Sequence, residues 1–127
     1  MSPALIILAA ILTDPLFEQV MLVGEGKPYL GLLAVVNQDG WLELAQKHGL
    51  PSDWPVVLEC REARAFALVR IAAQMKSFPG YAKVRRVALL PLPWTVENGL
   101  LTPTLKIKRH LILQQYAAHY QKLYEGF

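Results

Sequence analysis

One cysteine, Cys60, stands in a chain of 127 residues. It has no partner for an intrachain disulfide, which fits a reducing compartment. Metal ligands are as sparse: His48, His110 and His119 lie far apart, and at about 100° per residue the last two fall on opposite faces of a helix. No metal site is expected from such spacing. A Gly-x-Ser-x-Gly elbow and a Cys/His signature are both missing, so nucleophilic catalysis has no candidate. Gly24-Glu25-Gly26-Lys27 lacks the spacer, the Gly-Lys-Ser/Thr ending and the following helix of a phosphate loop, and it reads as a hairpin turn. Charge is low at 18% and apolar residues reach 54%, which excludes disorder as a description of the whole. Long apolar runs are absent too: Leu5 to Leu12 is eight residues, against roughly 20 for a bilayer span. No transmembrane helix is expected. Met1-Ser2-Pro3 offers no basic leader, and the compartment expected is the cytoplasm.

What charge there is lies in one place. Net charge is +3, and of 13 basic residues six (Lys83, Arg85, Arg86, Lys106, Lys108 and Arg109) fall between positions 83 and 109, where Glu97 is the only acid. A local excess of this kind attracts phosphates, whether of nucleotides, coenzymes or nucleic acid.

The length fits one domain, residues 1–127, with a single core. Ser2 as N-cap and Pro3 at the first helical position open a short helix that Asp14-Pro15 closes. That helix is apolar nearly all round, so something should cover more than one of its faces. Leu16 to Val23 and Tyr29 to Val36 read as an antiparallel hairpin around the glycine-bearing loop. Trp41, Leu44, Ala45 and His48 recur at helical spacing and stop at Gly49. A longer helix is expected from about Glu59 to Ser77, its core stripe formed by Ala65, Leu68, Val69, Ala72 and Met75. Val84 to Leu90 is a strand, Pro91-Leu92-Pro93 breaks it, and a last helix runs from Ile107 to about Tyr124. Hairpins mixed with helices, without regular βα repeats, indicate α+β: a small antiparallel sheet flanked by helices.

Between that strand and the last helix lies Glu97-Asn98-Gly99-Leu100-Leu101-Thr102-Pro103-Thr104-Leu105-Lys106-Ile107-Lys108-Arg109. Asn98-Gly99 is a hairpin-turn signal, because both central positions of that turn need positive φ. Pro103 stiffens the returning arm and keeps it out of a central strand. Lys106 is thereby presented just before a helix, where a cation sits badly with the helix dipole but well beside an anion.

Taken together, the segments Phe78-Pro79-Gly80-Tyr81-Ala82-Lys83-Val84-Arg85-Arg86-Val87 and Glu97 to Arg109 resemble the end of an AMP-forming acyl-CoA synthetase of the long-chain type. Asp14 to Val20 and Val23 to Leu30 resemble the same C-terminal domain, so the likeness covers nearly the whole chain. The resemblance implies an α+β lid that rotates on a hinge over a large N-terminal adenylation domain, supplied in cis or in trans. It implies ATP, a fatty acid and coenzyme A as substrates, with Mg2+ bound by the N-terminal domain and no cofactor held by the lid alone. Lys106-Ile107-Lys108-Arg109 matches the segment that carries the family's catalytic lysine, which would make Lys106, and not Lys108, the residue that stabilises adenylation. Lys83, Arg85, Arg86, Lys108 and Arg109 become candidates for substrate or coenzyme phosphates. Leu105 stands where many relatives have a glycine before the lysine, a departure that the long-chain branch often shares, and Leu5 and Ile7 replace acidic residues. The phosphate loop, the nucleotide contacts and the hinge would precede Met1, so the 127 residues alone are expected to be inactive; the full enzyme could lie peripheral to a membrane.

Two other readings compete. A stand-alone regulatory domain would dock, or self-associate, through its apolar N-terminal helix. A nucleic-acid module would use the basic cluster, but no strand shows the aromatic-rich pattern, preceded by a basic residue and glycine, of RNA-binding sheets.

Overall fold

A computed structural model describes residues 2–125, apart from the side chain of Tyr81. Strands β1 (Phe17–Val23), β2 (Leu30–Val36) and β3 (Val84–Leu90) form one sheet in the order β1-β2-β3. As the hairpin loop requires, β1 and β2 pair antiparallel, with Val20 opposite Ala34. The third strand departs from the antiparallel expectation: β3 runs parallel to β2, with Leu32 opposite Val87. The physical reason is the connection. Helices α2 (Gln38–His48) and α3 (Arg61–Gln74) lie between β2 and β3, long enough to return the chain to the end of the sheet from which β2 started. The α+β class holds, with a mixed sheet.

Both faces of the sheet are covered, which explains why β2 is buried from Gly31 to Val36. Helices α1 (Pro3–Ile11), α2 and α3 close one face around Ile11, Leu32, Trp41 and Ile71. On the other face Met21, Leu33, Val35 and Leu90 meet Trp94, Leu100, Ile112 and Leu123. The chain after β3 therefore forms a third layer. The Ser2 hydroxyl caps α1 as expected, accepting from the Leu5 N–H at 3.3 Å; α2 begins before the Trp41 expected from periodicity, where the Asn37 carboxamide accepts from Gly40 at 2.6 Å. Gly49 ends α2 in the left-handed conformation, φ 68°.

Two helices differ from their periodicity. A 3-10 turn, Val56–Glu59, precedes α3, whose first turn is capped by the Cys60 sulfur accepting from Ala63. The core side of α3 carries Ala63, Ala67 and Ile71; of the expected stripe Met75 is buried and Leu68 packs half-buried against the core, while Ala65, Val69 and Ala72 are exposed. Alanines ring this helix, so apolar spacing barely distinguishes its faces; close approach to β3 selects the side with small residues. The last helix breaks at Tyr116 (φ −107°, ψ 34°) into α4 (Arg109–Gln115) and α5 (Ala117–Lys122). The end of α5 is drawn onto the sheet, where the Tyr29 hydroxyl donates to the Leu123 carbonyl and the Tyr29 and Tyr124 rings stand 4.9 Å apart. Gly31 makes room for it, since a Cβ there would lie 3.2 Å from both Leu123 and the Tyr124 hydroxyl.

The inner side of α1 buries Ile7 and Ile11, whereas Leu5, Ile6 and Leu12 are 58%, 44% and 43% exposed. Among the described residues nothing covers that outer face. No helix among them is long and apolar enough to cross a membrane.

Candidate functional site

The arm that carries Lys106 begins at Trp94, whose backbone is clamped to β1 from both sides. Its N–H donates to the Gln19 side-chain oxygen at 2.7 Å, and the Gln19 amide returns a bond to its carbonyl at 2.9 Å. The reversal expected at Asn98-Gly99 is built differently. Gly99 has φ 81° but Asn98 does not share a positive φ, so this is not the two-residue turn. Instead the Asn98 side chain organises the loop: its oxygen accepts from Thr95 (2.9 Å) and Leu100 (3.2 Å), and its nitrogen donates to the Pro93 carbonyl at 3.0 Å. Thr95 reciprocates by accepting the Asn98 N–H at 2.9 Å. Substituting Asn98 by alanine removes all three side-chain bonds and is expected to cost about 1–2 kcal/mol. Chemical denaturation of that variant is the check.

The tight hairpin lies one step further on, at Thr102-Pro103-Thr104-Leu105. Leu101 bridges Ile107 in antiparallel fashion, the Thr102 N–H donates to the Lys106 carbonyl and the Leu105 N–H to the Thr102 carbonyl, both at 2.8 Å. Pro103 supplies the fixed φ of the turn's second residue, and Leu105 then takes φ 67°, the arrangement of a three-residue hairpin loop. The Thr102 hydroxyl accepts the Lys106 N–H at 3.0 Å. Thr102 thus fixes the lysine's backbone through both its main chain and its side chain. A threonine directly before a proline was the visible signal, overshadowed by Asn98-Gly99.

Beyond the hairpin, the Lys108 N–H is bound by the Leu100 carbonyl at 2.9 Å. The Arg109 guanidinium donates to the Leu22 carbonyl of β1 at 2.7 Å. The arm is held at both ends, and Lys106 between them is exposed. Among the described residues its ammonium has no ion pair or hydrogen bond.

The six cations do not gather into one patch. Lys83 and Arg85 are exposed at the start of β3, with Arg85 at a break in register opposite Leu30 and Gly31. Arg86 is half-buried; it donates to the Glu125 carbonyl at 3.3 Å and lies 5.9 Å from the Tyr29 ring. Arg109 is anchored on the opposite edge strand, two strand spacings or about 10 Å away across the sheet. Arg86 borders a cavity of about 360 Å³ with Arg64, His119, Lys122, Glu59 and Glu125, a group that sequence spacing did not bring together. Across its mouth His119 and Glu59 are 3.4 Å apart. Ile107 and Arg109 border a separate hollow of about 420 Å³ against Ala4, Leu8 and Leu22. No three His, Cys, Asp or Glu side chains among the described residues converge to hold a metal ion.

Behind the β1–β2 loop the Lys27 ammonium sits 5.2 Å from the Tyr124 ring and 5.5 Å from that of Tyr120. Burial, with Tyr120 and Tyr29 alongside, pushes the Tyr124 hydroxyl from 10.0 up to about 12. A raised folded pKa favours the native state below pH 10 and loses that contribution as pH climbs through 12. The native state should therefore weaken between those values, and Tyr124→Phe should flatten the slope in an alkaline melting series.

No family model matches the chain. Over 119 residues, 87% of the chain, it is 26% identical to the long-chain-fatty-acid–CoA ligase FadD15 of Mycobacterium tuberculosis, of which it covers 19%. A 57-residue stretch is 49% identical to the peroxisomal acyl-CoA ligase 891 of Penicillium brevicompactum, covering 45% of this chain and 8% of that one. In structure it matches the A-PCP didomain of a carboxylic acid reductase from Segniliparus rugosus, solved with AMP. There the TM-score is 0.72 at 21% identity, over 98% of this chain and 16% of the other. The chain thus spans about a fifth or less of the relatives named here.

Proposed function

We propose that this chain, whose homologues are acyl-CoA ligases of which it matches one small piece, is the C-terminal lid of such an enzyme and that Lys106 is its catalytic residue. The observation that carries the reading is the Thr102–Lys106 hairpin, an arm held by its own hydrogen bonds that presents an exposed ammonium with no ion pair or hydrogen bond among the described residues. In the proposed reaction a fatty acid carboxylate oxygen attacks the α-phosphorus of ATP, the bond to the bridging oxygen breaks, and pyrophosphate leaves. Two anions approach while charge builds on the phosphoryl oxygens, and a positioned cation lowers that barrier. Lysine suits the task as a compact charge on a flexible stem that enters for one step and withdraws for the next. In the second step the coenzyme A thiol attacks the acyl-adenylate and AMP departs. Arg85, exposed at the start of β3, is then the freest of the β3 cations to meet a coenzyme phosphate, since Arg86 is already engaged with the C-terminal backbone. Mg2+ on the triphosphate would be held by the larger portion of the enzyme.

The test is reconstitution. The adenylation portion of the Mycobacterium tuberculosis relative, produced without the segment that matches this chain, is given ATP and a fatty acid, and acyl-adenylate is measured as the 127 residues are added. Saturable stimulation, with no activity from the chain alone, is expected. Thioester formation by the isolated chain, or no stimulation at any concentration, would overturn the reading.

A second reading rests on the uncovered outer face of α1, with Leu5, Ile6 and Leu12. A regulatory domain docking through that face would leave the rate unchanged or lower it, and would be indifferent to Lys106.

A further inference from the structure

Leu105 occupies a backbone conformation that suits glycine and disfavours every other residue type present in its hairpin. At φ 67° its Cβ crowds the following carbonyl. Strain of this kind persists in folded proteins where the surrounding structure imposes it. Here Thr102 does so, by accepting the Leu105 N–H on its carbonyl and the Lys106 N–H on its hydroxyl. Any residue would be forced into this geometry, and glycine would enter it without cost.

The leucine side chain is left largely uncovered by the described residues. Leu105 is 68% exposed, whereas Leu100 and Leu101 of the same arm are 3% and 8% exposed. It also has company. Of the ten large hydrophobic residues exposed among the described residues, five (Leu92, Val96, Leu105, Ile107 and Leu111) lie between positions 92 and 111 of the sequence. Ile107 extends this surface into the hollow shared with Leu8 and Leu22. Exposed apolar residues are ordinary when scattered, and they mark a contact when they cluster around a site. Lys106, whose ammonium has no ion pair or hydrogen bond among the described residues, stands between two uncovered apolar neighbours, Leu105 and Ile107, which suits a site from which water is displaced, since a cation acts more strongly on phosphate in a dry surrounding.

We propose that Leu105 anchors the lysine arm, inserting its side chain into an apolar surface of the adenylation portion and so setting Lys106 against the α-phosphate. The inference rests on the lid reading and adds the contact that seats the lysine. Leu105 is on this account a positioning residue, kept in spite of its backbone strain for what it buries on closure.

The experiment titrates the adenylation portion of the Mycobacterium tuberculosis relative, loaded with ATP, with four forms of the chain: wild type, Leu105→Gly, Leu105→Met and Lys106→Ala. Binding is read by calorimetry, rate by acyl-adenylate formation and stability by melting of the chain alone. Leu105→Gly is expected to raise the melting temperature by a few degrees as the strain goes. It should at the same time weaken binding roughly ten- to hundred-fold, the effect of losing one buried leucine side chain. Leu105→Met, apolar and of similar volume, should bind within about three-fold of wild type. Lys106→Ala should bind as wild type does and lose rate. If Leu105→Gly binds as tightly as wild type, or melts lower, the anchor is overturned, while the Lys106→Ala rate still decides the lid reading independently. If Leu105→Gly weakens binding and no form supports any rate, the anchor stands and the catalytic reading falls. Absence of binding by the wild type overturns both.

Discussion

Lys106→Ala is expected to lower the rate of acyl-adenylate formation in the reconstituted enzyme by roughly 10² to 10³, or about 2.7–4 kcal/mol of transition-state stabilisation. Its effect on the chain's own stability should stay within about 0.5 kcal/mol, because the side chain is exposed and makes no polar contact among the described residues. That contrast separates a catalytic from a structural lysine. The backbone of Lys106 is held by Thr102 whatever its side chain, so alanine leaves the arm folded and removes only the charge. Lys106→Arg discriminates further. It keeps the charge, but guanidinium is a planar fork of donors on a stiffer head, and a site built around a point charge should recover only part of the rate. The half-saturating concentration of the chain should not move in either variant. If it rises with Lys106→Ala while the saturated rate is kept, the lysine belongs to docking and the adenylation role is lost. Lys108→Ala is the internal comparison: Lys108 is partly buried, its N–H is bound to Leu100, and the lid reading makes it a candidate for a substrate or coenzyme phosphate but not the adenylation lysine.

Much of this architecture follows from short-range chemistry and was readable as such. Ser2 with Pro3, Gly49, and the alternating or continuous apolar runs of the strands place α1, the end of α2, β1, β2 and β3 to within a residue or two, since each of these boundaries is decided by atoms a few positions apart. What could not be read is what depends on contacts distant in sequence. The parallel sense of β3 is fixed by how α2 and α3 carry the chain back, and nothing within Val84–Leu90 encodes it. The buried side of α3 follows the expected stripe only at Leu68 and Met75, because alanine contributes little to periodicity and the deciding contacts are with β3 and with Asp14. At the site, Lys106 is conspicuous from its neighbours and Pro103 stiffens its arm as expected, but the tight reversal lies at Thr102–Leu105 and not at Asn98-Gly99, and Thr102 fixes the lysine's backbone. The six cations looked like one patch along the chain and are divided by the width of the sheet. A one-dimensional cluster of charge is a cluster in space only when the intervening backbone does not cross from one edge of the fold to the other.

Asp14→Ala is expected to destabilise the isolated chain by about 3 kcal/mol, lowering its melting temperature by roughly 10 °C. Asp14 is the only charged side chain among the buried residues described, at 3% exposure, and it ties the end of α1 to α3. Arg70 grips it with two bonds, Nε to Oδ2 at 2.7 Å and Nη2 to Oδ1 at 2.9 Å, and the Leu16 N–H adds a third at 3.0 Å. Removing one member of a buried pair costs about 3–5 kcal/mol because the other is stranded. Arg70, whose side chain is 30% exposed and lies against Phe66, recovers some hydration, which places the loss at the lower end. The pH dependence gives the stricter test. Burial pushes the Asp14 carboxyl upward, but the Arg70 hydrogen bonds, the Leu16 amide and the Arg70 charge outweigh it, so its pKa falls below 3.8. A lowered folded pKa contributes stability that is complete above the unfolded value and is lost as pH falls below 3.8 through the folded one. Asp14→Asn, which keeps the shape and an acceptor for Leu16, should delete that acid-side loss and melt with a flatter profile below pH 4. Arg70→Met should reverse its sign. With the guanidinium gone, burial dominates, the carboxyl titrates above its unfolded value, and the variant gains relative stability as pH falls through that range. Matching slopes in wild type and Arg70→Met would mean that the α1–α3 junction is held by packing of Ile7, Ile11 and Ile71 alone, with the ion pair a passenger.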